Sequence, residues 1–255
     1  MLVSVLCSGS KGNCTLIRTK TANFLIDAGT TAKNINEKLK ENNLSLKDIN
    51  YILLSHTHKD HTSALNVIVK KYNPTIILSE IMYNDLEFLN DYNNIMFLKD
   101  NLVIGEVLIE NIKTSHDASD SRGYIITEGS SSLVQITDTG YLNQKYFSKL
   151  QNKNLYIMES NHNLEMLLNG RYPKWLKARV ASDVGHLSNE SSAFYLSKLI
   201  GKDTKKIILA HLSEENNTPE LALETLKNEL IDHNIEFTNY EAAKQYEKTK
   251  EVEVW

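Results

Sequence analysis

The sequence predicts an α/β fold in a single domain spanning residues 1–255, and three observations carry that prediction. Apolar, strand-like runs alternate with stretches of helical spacing from one end of the chain to the other, the pattern of sheets covered by helices. No repeat, low-complexity linker or boundary interrupts them. Residue types that ligate metals stand where apolar runs end, first where Ile52-Leu53-Leu54 opens into His56-Thr57-His58-Lys59-Asp60-His61. That is where α/β folds carry functional groups.

Taken in order, strands are expected at 2–7, 14–18 and 23–27, then a helix over 31–42, where Ile35 and Leu39 form one apolar stripe. A strand at 49–54 leads into the histidine-rich loop. After it come a helix over 63–71, a strand at 75–79 behind Pro74, and a helix over 80–90. Alternation over 95–137 predicts a second half-sheet. A helix over 142–151, a strand at 154–159, a helix over 188–200 and a strand at 206–210 follow. The last helix opens at Thr218-Pro219, where Thr caps and Pro fits the first turn. The terminal Glu251-Val252-Glu253-Val254-Trp255 alternates like an edge strand, with Trp255 read as a packing or self-association residue.

The loop at 56–61 places three imidazoles and a carboxylate within six positions. Both donor types suit zinc, and also manganese or iron. On a turn leaving a strand, His56 and His58 can point the same way, while Asp60 and His61, where a helix would begin, can face a second ion. A lone histidine is ordinarily a core or surface residue; H-x-H-x-D-H is a metal loop. Further donors wait at other strand ends: His116 after the run 107–112, Asp138 after 133–137 and His211 after 207–210.

These residues, in this order, resemble the metallo-β-lactamase superfamily over nearly the whole chain, beginning with Asp27 in Leu25-Ile26-Asp27-Ala28-Gly29 and ending at His211. The resemblance implies a four-layer αββα sandwich with two divalent ions at one edge, zinc or manganese with iron as a further option. It implies that His56, His58 and His116 hold the first ion and Asp60, His61 and His211 the second. Asp138 would bridge them, and Asp27 would orient a ligand by hydrogen bond without touching metal. A bridging Asp138 is expected in the phosphodiesterase and thioesterase branches and disfavours antibiotic hydrolysis. Tyr156 to His162, Gly185 to Asn189 and Ile208 to Ser213 look like the last landmarks of the phosphodiesterase branch. In tRNA 3′-processing nucleases the matching glutamate and histidine work as a pair, which here are Glu159 and His186.

Within that branch the chain is most similar to the YycJ/WalJ (VicX)-type subgroup, regarded as 5′-exonucleases acting on DNA. The likeness is carried by Cys7-Ser8-Gly9-Ser10-Lys11-Gly12-Asn13, Glu159-Ser160-Asn161-His162, Gly170-Arg171-Tyr172-Pro173 with Leu176-Lys177, Gly185-His186-Leu187-Ser188-Asn189, and His211-Leu212-Ser213 with Asn216-Asn217. One departure stands out: position 163 is Asn where the subgroup carries Asp, so residue 163 is not counted as a ligand. No long insertion separates Asp138 from His211, so the clamp domain of larger RNA-processing relatives is not expected.

The expected chemistry follows from charge. A phosphodiester repels hydroxide, and two ions about 3.5–4 Å apart both lower the pKa of the attacking water and neutralise the phosphoryl oxygens. The predicted catalytic set is Asp60, His186 and Glu159, with His186 protonating the departing sugar oxygen. The competing reading makes His186 a cap for the helix after Ser188 and Glu159 a surface acid. Hydrolysis of RNA, of small cyclic or modified nucleotides, or of thioesters and lactones stands as an alternative, as does a non-catalytic regulatory partner.

A formal charge of −4 gives no overall attraction to nucleic acid, so a DNA substrate needs a local patch. Arg171 to Arg179 puts four cations and two aromatics in nine residues, and Arg171, Lys174 and Lys177 are the candidate phosphate contacts, with Tyr172 or Trp175 to stack on a base. A solvated helix with Trp175 turned inward is the rival. Ser10 and Asn13, in the glycine-bearing stretch 8–13, form a possible phosphate cradle or a plain turn. His162 either lines the pocket or makes a structural contact. Cys7 and Cys14, the two cysteines of the chain, are read as free and structural. No apolar run approaches the roughly 20 residues that span a bilayer, and the first residues are too short for a signal peptide, so no membrane association and a cytoplasmic location are expected.

Overall fold

Three apolar interfaces separate four layers. In β1 (Leu2–Cys7), β2 (Cys14–Arg18) and β3 (Asn23–Ile26), consecutive side chains point to opposite faces. Leu6, Leu16 and Leu25 therefore meet one group of helices, while Val5, Ile17, Phe24 and Ile26 face a second sheet. A strand buried on both faces is mostly apolar, and these are, with Ser4 and Thr15 as buried polar exceptions. The computed structural model describes residues 1–254; Trp255 lies outside the described residues.

After α1 (Ala32–Lys40), capped by the Thr31 hydroxyl accepting from Asn34 N–H, the chain enters β4 (Tyr51–Leu53). The metal-type loop contains a single turn, α2 (Lys59–Thr62), and continues into α3 (Leu65–Tyr72). Next come β5 (Thr75–Leu78), α4 (Glu80–Asp85) and β6 (Ile95–Phe97), with β3 to β6 paired parallel. The second sheet begins with β7 (Asn101–Ile104), β8 (Val107–Lys113), β9 (Arg122–Glu128) and β10 (Ser131–Ile136), all antiparallel. Beyond α5 (Phe147–Leu150), β11 (Leu155–Glu159) adds parallel to β10. Then α6 (Leu164–Asn169), α7 (Lys174–Val180) and α8 (Asn189–Leu199) lead to β12 (Lys206–Ala210). Finally α9 (Pro219–Asp232) precedes β13 (Tyr240–Ala242), and β14 (Val252–Glu253) returns to the edge beside β1.

Each sheet has seven strands, in the orders β14-β1-β2-β3-β4-β5-β6 and β13-β12-β11-β10-β9-β8-β7. Ile35, Leu39, Leu65 and Ile68 cover the outer face of the first, and Ala193, Leu196, Ala222 and Leu226 that of the second. The result is the αββα sandwich expected. Each fully buried Leu or Ile in these interfaces is worth about 1.5–3 kcal/mol. No helix among the described residues is long and apolar enough to cross a membrane.

The topology also gathers the loops. Since β8 and β10 are both antiparallel to β9, they run the same way, and β11 and β12 continue parallel to β10. The loops after β8, β10, β11 and β12 therefore open at one end of the second sheet, which suits a site at the carboxyl ends of strands. Tyr124 Oη donates to Leu54 O (2.5 Å) and Arg122 N–H to Ser55 O (2.8 Å), tying the end of β4 to that same end.

Several expected elements differ. The helix over 80–90 stops at Asp85, because Leu86 takes φ −114° and ψ 68° and only a 3₁₀ turn follows. The helix over 142–151 shrinks to α5 behind a 3₁₀ turn, since Gly140 N–H is held by Ser115 O and Tyr141 O by the Thr139 hydroxyl, keeping the preceding chain extended. Helix α6 and strand β13 were not expected, while α7 falls on the stretch whose rival reading was a solvated helix; all are shorter than eight residues. The Asn163 side chain, at the departure from the subgroup pattern, accepts from Met166 N–H (2.9 Å) and caps α6.

Candidate metal centre

Four strand ends deliver the donors. Nitrogen atoms of His56, His58 and His116 lie within 4.8 Å of one another, and so do donor atoms of Asp60, His61, Asp138 and His211. All seven residues expected as ligands thus come together. Asp138 stands between the groups, with Oδ2 3.2 Å from His61 Nε2 and Oδ1 3.9 Å from His116 Nε2. Across the second group, Asp60 Oδ2 lies 3.4 Å from His61 Nε2 and 3.5 Å from His211 Nε2.

The imidazoles are held from behind. His61 donates through Nδ1 to Asp27 Oδ2 (2.8 Å), and Ser55 donates to Asp27 through both its N–H and its hydroxyl (2.8 Å each). Asp27 therefore orients His61 as expected of a carboxylate behind a ligand. His116 donates through Nδ1 to Gly185 O (3.1 Å). His211 is fixed twice, its N–H donating to Ser8 Oγ (2.7 Å) and its Nδ1 to Glu159 Oε1 (2.9 Å).

The residues fit divalent cations on an observation independent of ligand spacing. His56 Nε2, His211 Nε2 and Asp138 Oδ2 are buried without a hydrogen-bond partner. An orphaned buried polar atom costs about 1–3 kcal/mol, and three on separate strand ends converge here. Coordination to a divalent cation would satisfy them. Nitrogen and carboxylate donors admit zinc, manganese or iron.

Electrostatics agree. Burial raises the Asp138 carboxyl, yet His211 and His61 beside it hold it well below the usual carboxylate range. Burial lowers His61, but Asp138 and Asp27 push it well above its ordinary value. His211 rises to about 10 because Asp138, Asp60 and Glu159 outweigh its burial. His56 falls, through burial and the neighbouring imidazole of His61. A cation held by His61 and His211 would therefore have to compete with protons there at neutral pH.

Backbone strain concentrates at the site. Among the described residues seven non-glycine positions have positive φ, and four of them are Asn, which tolerates it. The other three are Asp27 (63°), Asp138 (56°) and His211 (55°). Left-handed geometry held by the surrounding structure is what functional strand ends carry.

Gly29 makes the site possible sterically. Backbone bonds from Asn13 N–H to Asp60 O (2.8 Å), Gly29 N–H to Asn13 O (2.9 Å) and Ala28 N–H to His61 O (2.8 Å) lace the loop after β3 to the metal-type loop. A Cβ on Gly29 would overlap the Asp60 carbonyl. Gly29→Ala is expected to destabilise the fold by about 3 kcal/mol or more, read by urea denaturation. An unchanged midpoint would show that the loops part freely.

Beside the donors, Glu159 Oε1 accepts from Nδ1 of His186 (2.8 Å) as well as from His211, and Oε2 accepts the N–H of Thr139 (3.0 Å) and Leu187 (3.1 Å). Glu159 is fully buried, so the surface-acid reading fails. His186 does not cap α8 either, because the Ser188 hydroxyl does. The second role of Glu159, on His211, was not visible in the sequence, and neither were those of Ser8 and Ser55. Only the position of Ser55, immediately before His56, pointed to it.

Other expectations need correction. Asn13 is 4% exposed, its Nδ2 3.0 Å from both Gly9 O and His61 Nε2, so it braces the site and offers no surface to a substrate. Ser10 stays exposed in the same loop. His162 is buried, with Nδ1 unpartnered and its pKa lowered to about 4 by burial, and its backbone bridges Ser188; it is an interior residue. Trp175 is 68% exposed, not turned inward. Arg171 lines an open cavity of about 700 Å³ with Gly170 and Glu215, Lys177 Nζ donates to Leu168 O (2.6 Å), and Lys174 is exposed. Arg179 is engaged by Asp117 Oδ2 (2.5 Å). Cys7 and Cys14 are free, buried cross-strand neighbours whose thiols burial raises, Cys7 to about 12. Such thiols are unreactive.

A model of the metallo-beta-lactamase superfamily matches residues 8–84. The chain is 38% identical to exodeoxyribonuclease YycJ of Bacillus anthracis over 224 residues, covering 86% of this chain and 85% of that protein. It is 36% identical to exodeoxyribonuclease WalJ of Streptococcus pneumoniae over 234 residues, covering 89% and 87%. Among solved structures, the metallo-beta-lactamase fold protein YhfI of Bacillus subtilis superposes with a TM-score of 0.73 at 18% identity, over 98% of both chains.

Proposed function

The chain belongs to the metallo-β-lactamase superfamily, in the group that holds YycJ and WalJ, and from that premise we propose that it is a 5′-exonuclease hydrolysing the phosphodiester backbone of DNA with two divalent cations. One observation carries the reading: two donor groups joined through Asp138, with His186 paired to the buried Glu159 beside them. Phosphodiester cleavage needs both a Lewis-acid centre and a proton donor for the leaving oxygen, whereas thioester or lactone hydrolysis has no use for His186.

His56, His58 and His116 would hold one cation, and Asp60, His61 and His211 the other, with Asp138 between. When bound, cations such as zinc, manganese or iron make water a nucleophile near neutral pH and neutralise charge on the phosphoryl oxygens. Asp27, Ser55 and Glu159 keep the imidazoles from rotating and Ser8 holds the backbone of His211, so the donors need no reorganisation during the reaction. His186 gives Nδ1 to Glu159 and keeps its other nitrogen for the proton that the departing sugar oxygen takes. The Glu159 carboxylate stabilises the imidazolium until that transfer.

Both relatives are exodeoxyribonucleases by name, which favours DNA over RNA. A DNA substrate also fits the cytoplasmic location expected. Exposed Arg171 and Lys174 and half-buried Lys177 supply local positive charge on a chain of net charge −4, and exposed Trp175 offers a face for a base. The deciding experiment is digestion of end-labelled DNA and RNA by metal-reconstituted protein. Release of 5′-labelled mononucleotide from DNA first, with RNA left largely intact, is the expected result. The combined charge reversals Arg171→Glu, Lys174→Glu and Lys177→Glu should lower DNA turnover at least about tenfold at physiological salt. Full activity in that variant would favour a small cyclic or modified nucleotide as substrate.

A further inference from the structure

On the loops that carry His116 and Asp138 the chain builds a second, smaller hollow of about 140 Å³. Lys113, Thr114 and Ser115, the three residues before His116, form one wall. Tyr141, Asn143, Lys145 and Tyr146, shortly after Asp138, form the other. The walls are fastened together, Ser115 N–H donating to the Thr139 hydroxyl (3.0 Å) and Gly140 N–H to Ser115 O (2.8 Å).

The lining holds two ammonium groups, hydroxyls and an amide, and no carboxylate. The acids nearby are committed elsewhere. Asp120 lies 4.0 Å from Lys113 Nζ but is held by Arg122 at 2.9–3.1 Å, and Glu110 pairs with Lys149 at 3.1 Å. Tyr146 links both lysines, its hydroxyl accepting Lys113 N–H (3.4 Å) and its ring lying 4.9 Å from Lys145 Nζ. The hollow, at about 140 Å³ and open to solvent, has room for a phosphoryl group.

We propose that this pocket binds a phosphoryl group of the substrate other than the one being cleaved, so that Lys113 and Lys145 fix the strand relative to the metal centre. The inference rests on the nucleic-acid reading of the site and deepens it. The bound group is either a terminal 5′-phosphate or an internal phosphodiester, and the two share the chemistry that the lysines recognise.

The test uses the full chain with Lys113→Ala and Lys145→Ala combined, and the corresponding double arginine variant. Both side chains are exposed, which keeps the fold out of question. On single-stranded DNA the alanine variant should raise KM at least about tenfold with a much smaller change in kcat, and the arginine variant should restore it. Binding of a hydrolysis-resistant phosphorothioate strand, followed by anisotropy, should lose about 1.4 from its logarithmic salt slope, two contacts at about 0.7 each. A defect confined to 5′-phosphorylated strands assigns the terminal phosphate; an equal defect on 5′-hydroxyl strands assigns an internal one. Unchanged KM and salt slope on a DNA-degrading wild type overturn the pocket and leave the nuclease reading standing. If the wild type cleaves no nucleic acid, inorganic phosphate followed by ³¹P line broadening judges the pocket separately: weaker binding in the alanine variant supports it, and equal binding overturns it.

Discussion

Asp138→Asn is expected to abolish nuclease turnover by about three orders of magnitude and to lower bound cation from two per chain towards one or none, measured by elemental analysis. The side chain stands between the two donor groups, its Oδ2 buried without a hydrogen-bond partner and its charge balancing His61 and His211. The amide removes that charge with almost no change of shape. It also suits the backbone, because Asn adopts positive φ readily and position 138 has φ 56°. Asp138→Ala would add a conformational cost of about 1–2 kcal/mol and mix two effects. An Asn variant with wild-type turnover and two cations would remove Asp138 from the site.

His186→Ala should lower kcat on DNA by about 10²- to 10⁴-fold while leaving cation content unchanged. His186 is not among the seven side chains assigned to the cations, and its ring is 19% exposed beside them, held by Glu159. If it protonates the leaving oxygen, the loss shrinks on a phosphodiester whose leaving group is an acidic phenol, because that oxygen departs without a proton. The acid-dependent limb of the pH profile should vanish with it. Equal losses on both substrates would make His186 structural. Glu159→Gln does not serve as the matching control, since Glu159 also positions His211 and its loss would disturb cation binding at the same time.

Much of this was legible in the amino-acid order, for a physical reason. Strand alternation and the H-x-H-x-D-H spacing are local patterns, so β1 to β5 and the metal-type loop could be read within a residue or two, and the donors at 116, 138 and 211 stood where apolar runs stop. Contacts between distant strand ends left no local trace. Ser8 meets His211 across 203 positions, and Glu159 meets it across 52. Short helices such as α6 and α7 carry too few turns for periodicity to register. Asn13 was read as a possible phosphate contact because polarity suggests a surface, whereas it sits inside, as its hydrogen bonds reveal; His162, read either as lining the pocket or as a structural contact, is buried too.

The left-handed backbone at positions 27, 138 and 211 has a practical corollary for anyone wishing to retune metal preference by swapping donors. A cysteine, glutamate or histidine can be tried at 56, 58 or 116, whose backbone any residue adopts. At 138 and 211 the menu narrows to side chains that accept an inverted twist. Redesign of this enzyme scaffold should therefore treat positions 56, 58 and 116 as exchangeable and positions 138 and 211 as part of the frame.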